Sequence, residues 1–187
     1  MKTFPRQEAA ELWNAWWNEM RSEWFKVEVL QDYLGEDVGP SLDAWLVGNK
    51  QQSIKLMSAD YPKWVANCRK KRLQGVQLIR IHVVEEPFTS YLDWEIHHYK
   101  LINVPKCGEK VYLINRSETT DLALPDGDVM IFDKKRVVVS AYDQSGRMAE
   151  QTFFDAENGD DIKHYLELRQ ALKDRARALQ NFEHPKP

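Results

Sequence analysis

The segment "VQLIRIHVVEEPF", residues 76–88, constrains the fold more than any other part of the chain. Val76, Leu78, Ile79, Ile81, Val83 and Val84 place apolar side chains on both faces of an extended backbone. A strand with one wet face alternates apolar and polar residues. A strand that is apolar on both faces belongs in the middle of a covered sheet. Pro87 has no amide hydrogen for the ladder and closes the strand. Arg80 and His82 interrupt the apolar run and share a face with Val84 through the two-residue period. An arginine buried without a partner is very costly, so Arg80 calls for a carboxylate or a phosphate. Glu86 and Glu95 are the nearest candidates in the sequence.

The chain then turns into a helix, "TSYLDWEIHHYKLI", capped by Thr89 or Ser90, with Leu92 and Ile96 at helical spacing. Tyr91 and Glu95 are four residues apart and lie on one helix face. Arg80, His82, Glu86, Tyr91 and Glu95 therefore gather where a strand ends beside a helix start. Such a corner can bind an anion or run acid–base chemistry, and ligands favour strand ends in α/β sheets. The same residues also suit a buried ion-pair network that fixes the corner. Trp94 stands on the same helix.

The remaining chain reads as helices, strands and a closing helix. In "RQEAAELWNAWWNEMRSEWF", Leu12, Trp13, Trp16, Trp17, Met20 and Trp24 recur every three or four residues, a helix stripe for a core or a partner surface. "WFKVEVLQDY" switches to strand alternation, "LGEDVGPS" is a loop, and Pro40 or Ser41 opens the helix "LDAWLVGNK". The helix at "SADYPKWVANCRKKRLQG" takes Ser58 or Asp60 as cap, Pro62 in its first turn and Gly75 as its stop. "EKVYLINR" is a strand. "DVMIFD", "RVVVSAYD" and "RMAEQTFF" form a meander turning at Lys134–Lys135 and at "DQSG". Residues 159–181 form an amphipathic helix, and 182–187 a frayed tail. The expected fold is α+β. It is a single domain over 1–187 with its core in 10–180, and its mostly antiparallel central sheet has about six strands.

Several function classes lack support. With 187 residues, net charge −3 and 29% charged residues, the chain carries no global nucleic-acid signature. The "RKKR" run at 69–72 reads as a solvated helix end, with a phosphate-binding patch for nucleic acid as the weaker alternative. No apolar run approaches the roughly 18 residues of a membrane span, the N-terminus lacks a secretory core, and a cytoplasmic protein is expected. Cys68 and Cys107 are distant in sequence and belong to no CxxC pair, so neither a zinc site nor a disulfide framework is expected. His97 and His98 point about 100° apart on a helix and do not suit one ion. "HYK" at 98–100 opens like a phospholipase D motif, but Pro105 stands where its aspartate belongs. Asp126 and Gly127 suit a turn. Asp128 and Asp133 do not make a calcium loop. No phosphate loop, nucleophile elbow or HExxH motif is present, and no metal or cofactor is expected.

The blocks "RSEWFKVEVLQDY", "IRIHVVEEPFTSYLDWE", "GEKVYLINR" and "LPDGDVMIFDKKRVVVSAYDQSG" resemble a domain-of-unknown-function family of actinobacterial type. That family is encoded beside helix-turn-helix regulators and small partner proteins of developmental gene clusters. Arg80, Val83, Glu86, Pro87, Tyr91, Trp94 and Glu95 carry the resemblance, with Asp128 to Asp133 as a second anchor. The hairpin after Asp128 is also similar to half-domains of phospholipase-D-like ligand-sensing regulators. The resemblance implies no reaction. It implies a regulatory or signalling module that binds a partner protein or small anionic ligand through Arg80, Glu86, Tyr91, Trp94, Glu95, Asp128 and Asp133. A homodimer through Trp13, Trp16 and Trp17 is a further expectation. Family members carry an arginine or a valine at the position of His82, which argues against catalysis by that residue. The alternative is a hydrolase or phosphodiesterase with Glu86 or Glu95 as base and Arg80 as anion clamp.

Overall fold

A computed structural model describes residues 1–33, 39–59 and 62–182. One eight-stranded sheet runs through it in the order β1-β7-β6-β5-β2-β3-β4-β8. Its strands are β1 (Lys2–Pro5), β2 (Glu23–Glu28), β3 (Gln77–Val84), β4 (Lys110–Asn115), β5 (Val129–Phe132), β6 (Arg136–Tyr142), β7 (Met148–Asp155) and β8 (Arg177–Ala178). The helices are α1 (Arg6–Glu19), α2 (Pro40–Leu46), α3 (Lys50–Met57), α4 (Pro62–Leu73), α5 (Ser90–His98) and α6 (Lys163–Arg175). The architecture is α+β, as the sequence pattern implies. Among the described residues only β2–β3 and β3–β4 pair in parallel, so the sheet is mostly antiparallel.

Eight strands replace the expected six. The two additions are edge strands too short to show alternation: β1 has four residues and ends in a proline, and β8 has two. Helix α3 also lacks a visible signal, because "KQQSIKLM" is largely polar. The last helix stops at Arg175, not 181, and Arg177–Ala178 pairs with Tyr112 and Leu113 instead. The expected loop at 34–38, the Asp60 cap and the tail at 183–187 lie outside the described residues.

Local signals elsewhere explain the elements. Thr89 accepts a hydrogen bond from the Leu92 amide at 3.0 Å and starts α5. The strand at 77–84 is central, flanked by β2 and β4. Beyond α5 the chain winds into a wider π-helix, Tyr99–Cys107, an uncommon form at nine residues. It ends at Gly108, which takes φ +68°.

Two apolar layers sandwich the sheet. On one face, Phe25, Val27, Ile79, Ile81, Ile131 and Val137 pack against Leu168 and Leu172 of α6. On the other, Trp24, Leu78, Phe132 and Phe153 pack with Trp16 and Trp17 of α1 and Trp94 of α5. Burying each phenylalanine contributes about 1.5–3 kcal/mol. The tryptophan stripe is thus core. Trp13 stacks on Trp17 at 5.3 Å between ring centroids, and Trp16 and Trp17 are buried. No helix among the described residues is long and apolar enough to cross a membrane.

Candidate functional site

On the face that carries Trp24 and Leu78, the apolar surface is interrupted by a polar stripe. In the parallel β2–β3 pair, Lys26 stands beside Arg80 and Glu28 beside His82. Two strands of the same polar-x-polar pattern, in that register, put two cations side by side. Like charges in neighbouring strand positions repel. The fold answers with carboxylates. Glu28 Oε1 accepts from Lys26 Nζ at 2.6 Å and from Arg80 Nη1. Arg80 Nε donates to Glu109 Oε2 at 2.8 Å. Lys26 also faces Asp128 Oδ2 at 3.3 Å. His82 Nδ1 lies 3.2 Å from Glu95 and 3.8 Å from Glu28. Each of the three cationic side chains therefore meets two carboxylates.

Burial penalises every charge here, and pairing decides which way each group shifts. Burial opposes ionisation of Glu28, yet Arg80, Lys26 and His82 hold its carboxyl well below the ordinary range. Burial disfavours charged Arg80 and Lys26, but Glu109 and Glu28 raise the first, and Glu28 and Asp128 the second. Burial would also keep His82 neutral; Glu95 overrides it and raises the imidazole above its usual value.

The hydrogen bonds agree on the protonation of His82. Its Nε2 lies 2.8 Å from the Leu30 carbonyl, which can only accept. Tyr99 donates its hydroxyl proton to Glu28 Oε2 at 2.5 Å, so Tyr99 Oη, 3.0 Å from His82 Nδ1, can only accept there. Both ring nitrogens therefore carry protons. Glu28, His82 and Glu95 have the composition of a metal-ligand trio, with one atom of each within 4.8 Å of the others. Protons occupy that role: an ion would have to displace those on His82 Nδ1 and Tyr99.

Several expected site residues take other positions. Glu86 is exposed and does not pair with Arg80. It lines a polar groove at the ends of β3 and β4 with Glu85, Asn115 and Arg116. Glu95 is buried and pairs with His82 rather than Arg80, with the Tyr91 hydroxyl 3.5 Å away. Trp94 donates from Nε1 to Ser41 Oγ at 3.1 Å and is core. Asp128 is fully buried and accepts from Val29 N at 3.2 Å, Tyr33 Oη at 2.6 Å and Tyr142 Oη at 2.9 Å. Asp133 sits at the far end of β5 and accepts from the backbone amides of Arg21, Ser22 and Glu23. The seven residues do not converge: Arg80, Tyr91, Glu95 and Asp128 belong to or border the buried network, whereas Glu86, Trp94 and Asp133 do not.

Lys26, Glu28, Tyr99, Glu109 and His82 are participants that sequence reasoning missed or set aside. Lys26 and Glu28 look like the wet face of a half-buried strand. The available signal was the matching "K-x-E" and "R-x-H" of two strands that pair in parallel. The basic run 69–72 is split by the fold. Lys71 is buried and donates to the Asn18 and Met20 carbonyls at 3.0 and 3.1 Å, helping to join α4 to the end of α1.

Beside Glu109 lie the two cysteines. Cys68, on α4, and Cys107, at the end of the π-helix, are buried. Their proximity lowers the pKa of Cys107 against the opposing effect of burial and, together with burial, raises that of Cys68. Glu109 Oε1 accepts from Trp64 Nε1 at 3.2 Å.

No curated protein matches the chain. Among solved structures, TrmBL2, an archaeal chromatin protein whose structure is described as showing a novel mode of DNA binding, is similar at a TM-score of 0.44 and 11% identity. The match covers 95% of this chain and 55% of that one, so this chain spans about half its length. A family model described as "Domain of unknown function (DUF6879)" matches residues 11–184, and the chain belongs to that family.

Proposed function

We propose that the protein is a non-enzymatic regulatory module that binds a partner protein, with the Arg80 network as the hub that holds its binding surfaces in place. The carrying observation is that Arg80 is committed to Glu28 and Glu109 and is only 7% exposed. An anion clamp needs donors that are open until the ligand arrives. A hydrolytic base needs access to water, and Glu95 is closed off against His82. Glu86 is open, but it lies apart from Arg80.

The surface best suited to a partner is an apolar groove of about 540 Å³ lined by Val104, Val111, Tyr112, Ala178 and Leu179, with Lys100 and Lys110 also in its wall. Leu101 and Val104 stand partly exposed near it. Among the described residues, the outer edge of β4 pairs with β8 only at Tyr112 and Leu113, which suits an added strand or an amphipathic segment. A homodimer through Trp13, Trp16 and Trp17 would have to unpack rings that the fold buries.

The resemblance to a family encoded beside helix-turn-helix regulators makes such a regulator the partner to test, in a cytoplasmic setting. Titration calorimetry of the two purified proteins should show binding, and Val104→Asp should abolish it while leaving the melting temperature intact. Absence of binding, or equal binding by the variant, would count against this surface.

A further inference from the structure

Cys68, Cys107 and Glu109 come from three places in the chain and meet inside the protein. One donor atom of each lies within 4.8 Å of the others, and all three residues are buried. Cys68 is on the inward side of α4, Cys107 closes the π-helix, and Glu109 precedes β4. Gly108 makes the convergence possible. Its φ of +68° reverses the chain between Cys107 and Glu109, and an added Cβ would stand 2.3 Å from the Arg72 guanidinium.

We infer that Cys68, Cys107 and Glu109 form a binding site for a thiophilic divalent cation, best matched by zinc. Two thiolates and a carboxylate are ligand types that zinc takes in tetrahedral sites, with the fourth position left to water. Two thiolates neutralise the ion, so the metal adds no net charge to the interior. Zinc–sulfur bonds of about 2.3 Å at a tetrahedral angle put two sulfurs about 3.8 Å apart, which the 4.8 Å limit on the spacing of these donor atoms accommodates.

Glu109 is already oriented for the task. Trp64 Nε1 and Arg80 Nε each hold one of its oxygens, at 3.2 and 2.8 Å. A carboxylate oxygen has a second lone pair, and ligating carboxylates are commonly held by such outer hydrogen bonds. The site is separate from the Glu28–His82–Glu95 trio, which carries no sulfur. Binding would pin α4 to the junction of the π-helix and β4. The proposal does not depend on the partner-binding reading.

The test uses the full chain, reduced with a phosphine and freed of metal, titrated with cobalt(II) as a spectroscopic probe and then with zinc. The expected result is one cobalt per chain, with a near-ultraviolet thiolate-to-cobalt charge-transfer band and the visible bands of a tetrahedral site. Zinc should displace the cobalt and raise the melting temperature. Cys68→Ala and Cys107→Ala should each remove the charge-transfer contribution of one sulfur and weaken zinc binding at least tenfold. Cobalt bound without a thiolate band, or zinc binding unchanged in the double cysteine variant, would overturn the site. So would no metal uptake by the wild-type chain, a measurement that does not depend on any variant folding.

Discussion

Arg80 Nε and Glu109 Oε2 lie 2.8 Å apart across the β3–β4 step, although Glu86 and Glu95 are nearer to Arg80 in sequence. The pair sits where the stripe begun by Glu28 and Lys26 meets the two thiols. Removing one partner of a buried, hydrogen-bonded ion pair strands the other in a low-dielectric interior.

Arg80→Ala should therefore destabilise the protein by about 3–5 kcal/mol, because buried Glu109 loses its cation and Glu28 keeps only Lys26 and His82. Urea unfolding at neutral pH measures it. A loss below about 1 kcal/mol would show that the network carries little of the fold.

Glu86 and Glu95 should part company. Glu86→Gln changes an exposed side chain and should leave stability within about 0.5 kcal/mol of the parent. Glu95→Gln removes the carboxylate that faces His82 and should cost about 1–3 kcal/mol. Equal effects in denaturant melts would contradict the placement of the two residues.

His82 should make stability depend on pH. Its pKa is raised in the fold against burial, chiefly by Glu95, with Glu28 also contributing; Tyr99 Oη and the Leu30 carbonyl face its two ring nitrogens. A group whose pKa is higher folded than unfolded binds a proton more tightly in the native state. Its contribution is complete below the ordinary histidine pKa of about 6.5 and is lost as the pH climbs through the folded value. The urea midpoint should fall as pH rises above that point. In His82→Gln this alkaline slope should be flattened. Glu28 works in the opposite sense: its depressed pKa contributes stability above the ordinary glutamate range that is lost on acidification.

Gly127→Ala tests a close backbone approach. A Cβ at this position would stand 1.8 Å from the Ser140 carbonyl oxygen, and the Ser140 amide donates to the Asp128 carbonyl at 2.8 Å. Backbone cannot swing aside as a flexible side chain does, so the variant should lose about 1–3 kcal/mol. An unchanged thermal midpoint would mean that the turn relaxes freely.

Much of the architecture was legible because it depends on local rules. The apolar run at 76–84 required a central strand, Thr89 supplied a cap, and the meander from Val129 to Asp155 followed from alternation and turn residues. The edge strands β1 and β8 were not legible, since two to four residues carry no period. Asp128 was legible as a candidate but not in its role, which depends on Tyr33 and Tyr142 arriving from other segments.

By itself, the sequence determined that a polar pair, Arg80 and His82, would be carried into the interior, because their strand is apolar on both faces and could not sit at an edge. It could not name their partners. Which carboxylates met them was decided by the parallel register of β2 on β3, which put Glu28 beside His82, and by the Gly108 reversal, which brought Glu109 to Arg80. Packing of α4 on the π-helix brought Cys68 beside Cys107, two residues whose spacing argues against any shared site. Pairing energy depends on distance in space, and separation along the chain sets only the entropy cost of bringing two groups together.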